Sequence, residues 1–318
     1  MGHLSRCRSL IISIINDFPL CRINIITNNT KLVDRFIGEY VESLFFESYN
    51  VAEAQQIIEL KRFDIVFLDT PNQANENFEY KTKILAVIDD NGTGVLGQNV
   101  LIQPNMGKPV AHNCNYHYWY GSEYILLNPS FSNYSSRQRF INDQVQNILV
   151  CFGGSDPGHI TQKILPVLKN LNKLLKINIV LGHSFQYIDD VYSLVERDER
   201  FNVKVAVSDM PKMLWETDIA IISGGSLLYE ACALGTPSIV ISQNNDQHEE
   251  ALIFDNKHAT INAGTIQNVN HKLLHEKIEY LLNKYSLRKK ISETSRKIVT
   301  GNGAKHIISR LFNLLSTV

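Results

Sequence analysis

Five short apolar runs in the second half of the chain, NILVCFGG, INIVLG, FNVKVAV, DIAIISGG and PSIVIS, are separated by amphipathic stretches of helical period. Most of these runs are apolar on both faces, so they read as strands covered from two sides, as in a parallel sheet with crossover helices. The first half repeats the form less regularly, in RINIIT, DIVFLD and KILAVID. The expected fold class is therefore α/β.

At 318 residues the chain is long enough for two domains with cores of their own. The polar segment NPSFSNYSSRQRFINDQ is suited to carry the chain from one to the other, which puts the boundary near residues 132–145 and the domains at 1–138 and 139–318. The second domain would include the tail helices KLLHEKIEYLL and HIISRLFNLL, with GNG between them as a stop and a fresh start. Acidic and basic residues number 32 and 31 and are interspersed, so charge gives no reason to expect nucleic acid or an anionic membrane as partner. Five cysteines without a CxxC pair fit a reduced cytoplasm, and SLIISII is too short to cross a bilayer, so a cytoplasmic protein without membrane insertion is expected.

Two strand-to-helix junctions carry the informative residues. In CFGGSDPGHIT, Gly153 and Gly154 allow a tight turn, while Ser155, Asp156 and Pro157 suit a helix start whose amides would face an anion. In DIAIISGGSLLYEACALG, Gly224, Gly225 and Ser226 open a second helix, and Glu230 follows one turn later, placed for a ribose diol. Either turn alone also reads as an ordinary strand-helix connection; two in one domain point to the two phosphates of a nucleotide. After PSIVIS, Asn244, Asn245 and Gln247 offer amide donors and acceptors for phosphate or sugar, and Asn245 or Asp246 would also serve as a helix cap. Backbone groups from Val207 to Met210 could read a uracil edge.

Other chemistries lose support. No Lys-Ser or Lys-Thr follows the glycines, and neither GxGxxG nor GxSxG occurs at these turns. His112, Cys114 and His117 match no common zinc spacing, and no metal or other cofactor is expected.

The ordered set GHLSRC, DIVFLD, VIDD, GSEYILLNPSF, CFGGSDP, DMPKML, SGGSLLYEACALGTPSIVIS and NNDQ resembles the UDP-sugar hydrolases of pseudaminic acid biosynthesis, the PseG family, over nearly the whole chain. GSEYILLNPSF is the most specific part, being similar to the family's GxxYxLLRxxF. The resemblance implies a GT-B-like architecture related to the glycosyltransferase MurG, with two Rossmann-like domains facing a cleft and the nucleotide held mainly by the second. It implies metal-independent, inverting hydrolysis of a UDP-linked 2,4-diacetamido-2,4,6-trideoxyhexose. In that picture Gly153 to Asp156 and Gly224 to Ser226 stabilise the departing diphosphate, Glu230 holds the ribose, Met210 lies at the base, and Asn245 and Gln247 reach phosphate or sugar.

GHLSRC looks like the family's GHxxRC, which makes Gly2, His3 and Arg6 site candidates, with His3 positioning or deprotonating water. Arg6 also reads as an ordinary salt-bridge residue. The family places a strand and an Arg-x-Asp segment before this turn, so the first strand of the sheet is expected to be missing and a truncated gene or an upstream start is implied. Asp69 keeps the family's acidic position and could orient water or a sugar hydroxyl, whereas Thr70 and Pro71 depart from the pattern. The departure after Asp69 keeps open a GT-B glycosyltransferase with a UDP-sugar donor, and the missing first strand keeps open an inactive UDP-sugar-binding protein.

Overall fold

A computed structural model describes residues 2–38, 45–47, 51–69, 81–110 and 115–317. Contacts divide the chain into two compact units, Met1–Pro129 with Gly301–Val318, and Ser130–Thr300.

The first unit begins with α1 (Gly2–Asp17), β1 (Ile25–Thr27), α2 (Thr30–Ile37), β2 (Phe45–Glu47) and α3 (Val51–Lys61). It continues with β3 (Ile65–Leu68), β4 (Ile84–Ile88), β5 (Val100–Gln103) and β6 (His117–Tyr120). All described pairings are parallel, but the strands form two sheets, β1-β2 and β3-β4-β5-β6. β4 and β5 are buried along their whole length, as continuous apolar runs between two neighbours should be. β1 and β3 were expected to be buried too; each pairs with one described strand and stays half-exposed.

Helix α1 packs against both sheets. Leu10 and Ile14 join the cluster of Ile84, Ala86, Val100 and Ile102, while Ile11 and Ile15 join Val33 and Ile37 beside Ile25. Two i, i+4 stripes, offset by one residue, give the helix two adjoining apolar faces.

The second unit contains α4 (Ser132–Ser135), β7 (Asn147–Cys151), α5 (Ile160–Lys169), β8 (Lys176–Leu181), α6 (Ile188–Val195), β9 (Phe201–Val205), α7 (Met210–Trp215) and β10 (Ile219–Ile222). It continues through α8 (Ser226–Leu234), β11 (Ser238–Ser242), α9 (Asn245–Asn256), β12 (Ile261–Thr265), α10 (His271–Asn283) and α11 (Tyr285–Ile298). The strands form one parallel sheet in the order β12-β11-β10-β7-β8-β9. From β7 the chain winds outward to β9, then returns to β10 and winds the other way. The sheet thus changes direction between β7 and β10, the position where ligands of open parallel sheets bind at the strand carboxyl ends.

Two parts of the domain division differ from the sequence reading. The last helix, α12 (Gly303–Leu315), returns to the first unit: Ile307, Ile308 and Leu311 enter the core of β4 and β5, and Phe312 stacks on Phe18 at 3.8 Å. Gly303 makes this seat possible, since a Cβ there would stand 2.2 Å from the carbonyl oxygen of Ile125. The polar segment expected as a connector is fastened to the second unit by three arginines. Arg139 donates to the carbonyls of Trp215 and Thr217, Arg288 to those of Asn142 and Asp143, and Arg296 to those of Ser135 and Arg137. Its backbone acceptors are met by guanidinium donors rather than by water alone.

Candidate functional site

In the first unit, α1 starts at Gly2, so His3 and Arg6 lie three residues apart on one face of its opening turns. Asp69 follows directly on β3 and is almost fully buried. Nδ1 of His3 stands 2.6 Å from Oδ1 of Asp69, which places the proton on Nδ1 and leaves Nε2 as the lone-pair nitrogen of a half-exposed ring. Arg6 forks onto the same carboxylate, with Nε donating to Oδ2 at 3.1 Å and Nη2 to Oδ1 at 2.8 Å. Nη2 also lies 3.0 Å from the His3 nitrogen, but that nitrogen carries the hydrogen given to Asp69, so the Arg6 hydrogen belongs to the carboxylate.

The remaining arm of Arg6, Nη1, reaches both oxygens of Asp90 at 2.7 and 2.8 Å. Asp90 is not among the candidate site residues named from the sequence, although it ends the motif VIDD. Burial alone would lower the Arg6 pKa; the charges of Asp69 and Asp90 outweigh it and raise the group further. Burial also works against ionisation of Asp89, yet the Thr93 hydroxyl and the amides of Gly94, Asn91 and Thr93 hold it below the usual carboxylate range. Cys7, packed beside Ile11 and close to Asp69, is pushed up to about 12, chiefly by burial, and stays a neutral thiol.

In the second unit, three loops meet at the carboxyl ends of β7, β10 and β11. Gly153 has φ +85° and Gly225 φ +72°, the turns that glycine was expected to serve. The Gln243 side-chain amide donates to the carbonyl of Phe152 at 2.6 Å, and the Gln243 backbone N–H donates to Oε1 of Gln247 at 3.0 Å. Gln247 lies so close to Gly224 that an added Cβ there would meet its Cβ at 2.7 Å.

The two glycine turns differ in one respect that matters for an anion. After Gly153 and Gly154, the helix begins at Ile160, later than the sequence implied, because Asp156 and His159 take positive φ. The Asp156 carboxylate is buried and accepts from the amides of Ile160 and Thr161 and from the Thr161 hydroxyl. This corrects the expectation that Asp156 meets a ligand: it is the anion that caps α5. At the second turn, α8 starts directly after Gly225 with no side-chain cap. Ser226 is exposed there, and the amide end of the helix is free of a built-in carboxylate.

Glu230 sits one turn into α8, only partly exposed, and burial of its carboxyl pushes its pKa up to about 8. Asn245 is exposed as the first residue of α9, and the cap is Asn244, whose Oδ1 accepts from Gln247 N, rather than Asn245 or Asp246. Met210 opens α7, where Asp209 caps by accepting from Lys212 N. Ser208 and Asp209 line a polar cavity of about 430 Å³ with Asn133, Tyr134 and Arg137. Gly182, at the end of β8, is a further residue that the sequence reading did not single out; a Cβ there would stand 2.4 Å from backbone atoms of Gly153 and Gly154.

The segment GSEYILLNPSF contributes to packing. Tyr124 is buried against Trp119, and Arg310 of α12 donates to its hydroxyl. Ile125, Leu127 and Phe131 are buried as well. Thr70, Pro71, His112 and Cys114 lie outside the described residues, and His117 is exposed on β6. No described helix is long and apolar enough to cross a membrane.

These features define an α/β protein with parallel sheets and a glycine-turn site at a sheet switch point. No protein-family model matches the chain. It is 26% identical to the spore coat polysaccharide biosynthesis protein SpsG of Bacillus subtilis over 272 residues, which is 81% of this chain and 78% of that protein. It is 31% identical to an uncharacterized protein of Methanocaldococcus jannaschii over 205 residues, 57% of this chain but 41% of that relative's length. Among solved structures, MurG of Acinetobacter baumannii matches with a TM-score of 0.66 at 13% identity, covering 100% of this chain and 96% of MurG. The UDP-GlcNAc 2-epimerase of Neisseria meningitidis, bound to UDP-GlcNAc, matches with a TM-score of 0.64 at 12% identity, covering 98% and 97%. The chain has the GT-B fold that these structures share.

Proposed function

We propose that this protein hydrolyses a UDP-linked sugar, with inversion at the anomeric carbon, and that the sugar is a 2,4-diacetamido-2,4,6-trideoxyhexose of nonulosonic acid synthesis. The observation that carries the reaction type is the His3 Nδ1 to Asp69 hydrogen bond of 2.6 Å, because it leaves Nε2 as a proton acceptor of fixed tautomer. Nε2 takes a proton from water as the water oxygen bonds to the anomeric carbon. The bond from that carbon to the phosphate oxygen breaks, and its electron pair leaves with UDP.

The nucleotide side rests on the uncapped start of α8. Amides around Gly225 and Ser226 and the positive end of the helix suit a diphosphate, which gains charge as it departs. Gly153 and Gly154 allow close backbone approach nearby, and Glu230, one turn on, suits the ribose diol. The similarity to SpsG, a polysaccharide biosynthesis protein, and to a fold that holds UDP-GlcNAc in the Neisseria epimerase agrees with a sugar-nucleotide substrate.

A proton NMR time course with the UDP-linked sugar, without acceptor, tests the reading. Free sugar should appear first as the inverted anomer, and His3→Ala should slow its appearance by about two to four powers of ten. Turnover that requires an added acceptor would replace hydrolysis by glycosyl transfer. UDP-sugar binding without turnover would leave a binding protein.

A further inference from the structure

Arg6 poses an electrostatic problem for a base at His3. An imidazole that accepts a proton becomes a cation, and a carboxylate at Nδ1 favours that change only if its own charge is not already spent. Asp69 is almost fully buried, and both of its oxygens are held by the Arg6 fork. With Arg6 and Asp69 alone, the surroundings of the ring would sum to zero, with a guanidinium nitrogen 3.0 Å from Nδ1.

Asp90 changes the sum. Its carboxylate takes the Nη1 arm of Arg6 through both oxygens, so the group of Asp69, Arg6 and Asp90 carries one net negative charge. Asp90 is also held in place: its carbonyl accepts from the side-chain amides of Gln103 at 3.2 Å and Asn105 at 2.8 Å, both buried. The adjacent Asp89 is committed to the turn amides, and Cys7 is a neutral thiol. The charges joined to His3 by hydrogen bonds are thus Asp69 after β3, Arg6 on its own helix, and, through Arg6, Asp90 after β4.

We infer that Asp90 is a positioning residue that keeps Asp69 able to stabilise a protonated His3, by engaging Arg6 from the other side. The inference rests on the reading of His3 as the base, and it adds a residue that never touches the ring. Arg6 holds the Asp69 carboxylate in orientation, and Asp90 balances the charge that this orientation brings with it.

The sign of the effect follows directly. Removing the Asp90 charge leaves the Arg6 cation unbalanced next to the imidazole, disfavours imidazolium and lowers the pH at which His3 titrates. The base becomes weaker, so kcat falls while the acid limb of the pH-rate profile moves to lower pH. Substrate affinity has no reason to change.

The protein and its Asp90→Asn and Asp90→Glu variants would be titrated by following the His3 ring protons by NMR. The His3 signal is identified among those of the ten histidines by its loss in His3→Ala. The Asp90 side chain is 56% exposed, so the variants are expected to fold. In Asp90→Asn the His3 midpoint should fall by about half a pH unit to one unit, and in Asp90→Glu it should return toward the parent. On the sugar nucleotide, Asp90→Asn should lower kcat by about three- to tenfold with KM unchanged, and glutamate should rescue it. An unmoved His3 midpoint in Asp90→Asn overturns the inference, even if activity falls. The titration needs no turnover, so it stands apart from the hydrolase reading: a shifted midpoint in a protein that releases no sugar would remove the proposed reaction and keep the charge network.

Discussion

Gln243 and Phe152 are joined by a hydrogen bond of 2.6 Å that links the loop after β11 to the end of β7, with β10 lying between those strands in the sheet. It fixes the spacing of the two glycine turns that flank it. Gln243→Ala removes the donor and should cost about 1 kcal/mol, read as a lower urea midpoint with unchanged m-value. If the turns serve a diphosphate, UDP affinity measured by calorimetry should fall as well. A variant with full stability and full affinity would show that the loops hold their positions without this bond.

Gly182→Ala should be more damaging than a substitution at any exposed glycine. The new methyl carbon would meet backbone of Gly153 and Gly154 at 2.4 Å, and backbone cannot swing aside as a side chain can. A loss of about 2 kcal/mol or more is expected, together with weaker nucleotide binding, because the first glycine turn must shift. Thermal unfolding of the variant beside Gly97→Ala, where nothing stands near the added carbon but φ is positive, separates crowding from backbone strain.

Glu230 should make stability depend on pH. Its folded pKa is raised from 4.5 to about 8 by burial, so the folded protein keeps a proton that the unfolded chain gives up. The stabilisation is complete below about pH 4.5 and is lost as pH rises through about 8. Glu230→Gln removes the titration, so the difference in Tm between parent and variant should change across this window. A constant difference from pH 4.5 to 8 would place the carboxyl in water.

Hydrogen exchange should separate the strands of the first unit. β4 has a partner on each side and is wholly buried, whereas β1 has one described partner and is half-exposed. Amides of β4 should therefore exchange only through large openings, and those of β1 through local ones, orders of magnitude faster. Equal protection would mean that the edge of β1 is covered in solution.

The parallel α/β character was legible because β7, β8, β10 and β11 are continuous apolar runs ending in glycine or polar turns. β5 and β6 were not, since Gln103, His117 and the aromatic run Tyr118–Tyr120 break the Ile and Val pattern on which a strand is recognised. β12 is interrupted by Asn262 and Gly264. The glycine turns could be read locally, but which helix start was left open could not. Asp156 reads as a ligand contact or as a cap from sequence, and only the positive φ at Asp156 and His159 selects the cap. His3 and Asp69 could be named from motif resemblance, yet their contact spans 66 positions and the Arg6–Asp90 pair spans 84, beyond any local pattern.

The return of α12 makes the two units unequal in what each needs from the chain. Residues 130–300 are contiguous, so the second unit draws its whole core from one stretch, whereas the first also needs Ile307, Ile308 and Leu311 from beyond it. A chain cut after residue 300 would thus keep one unit with a complete core and leave the other with an open one.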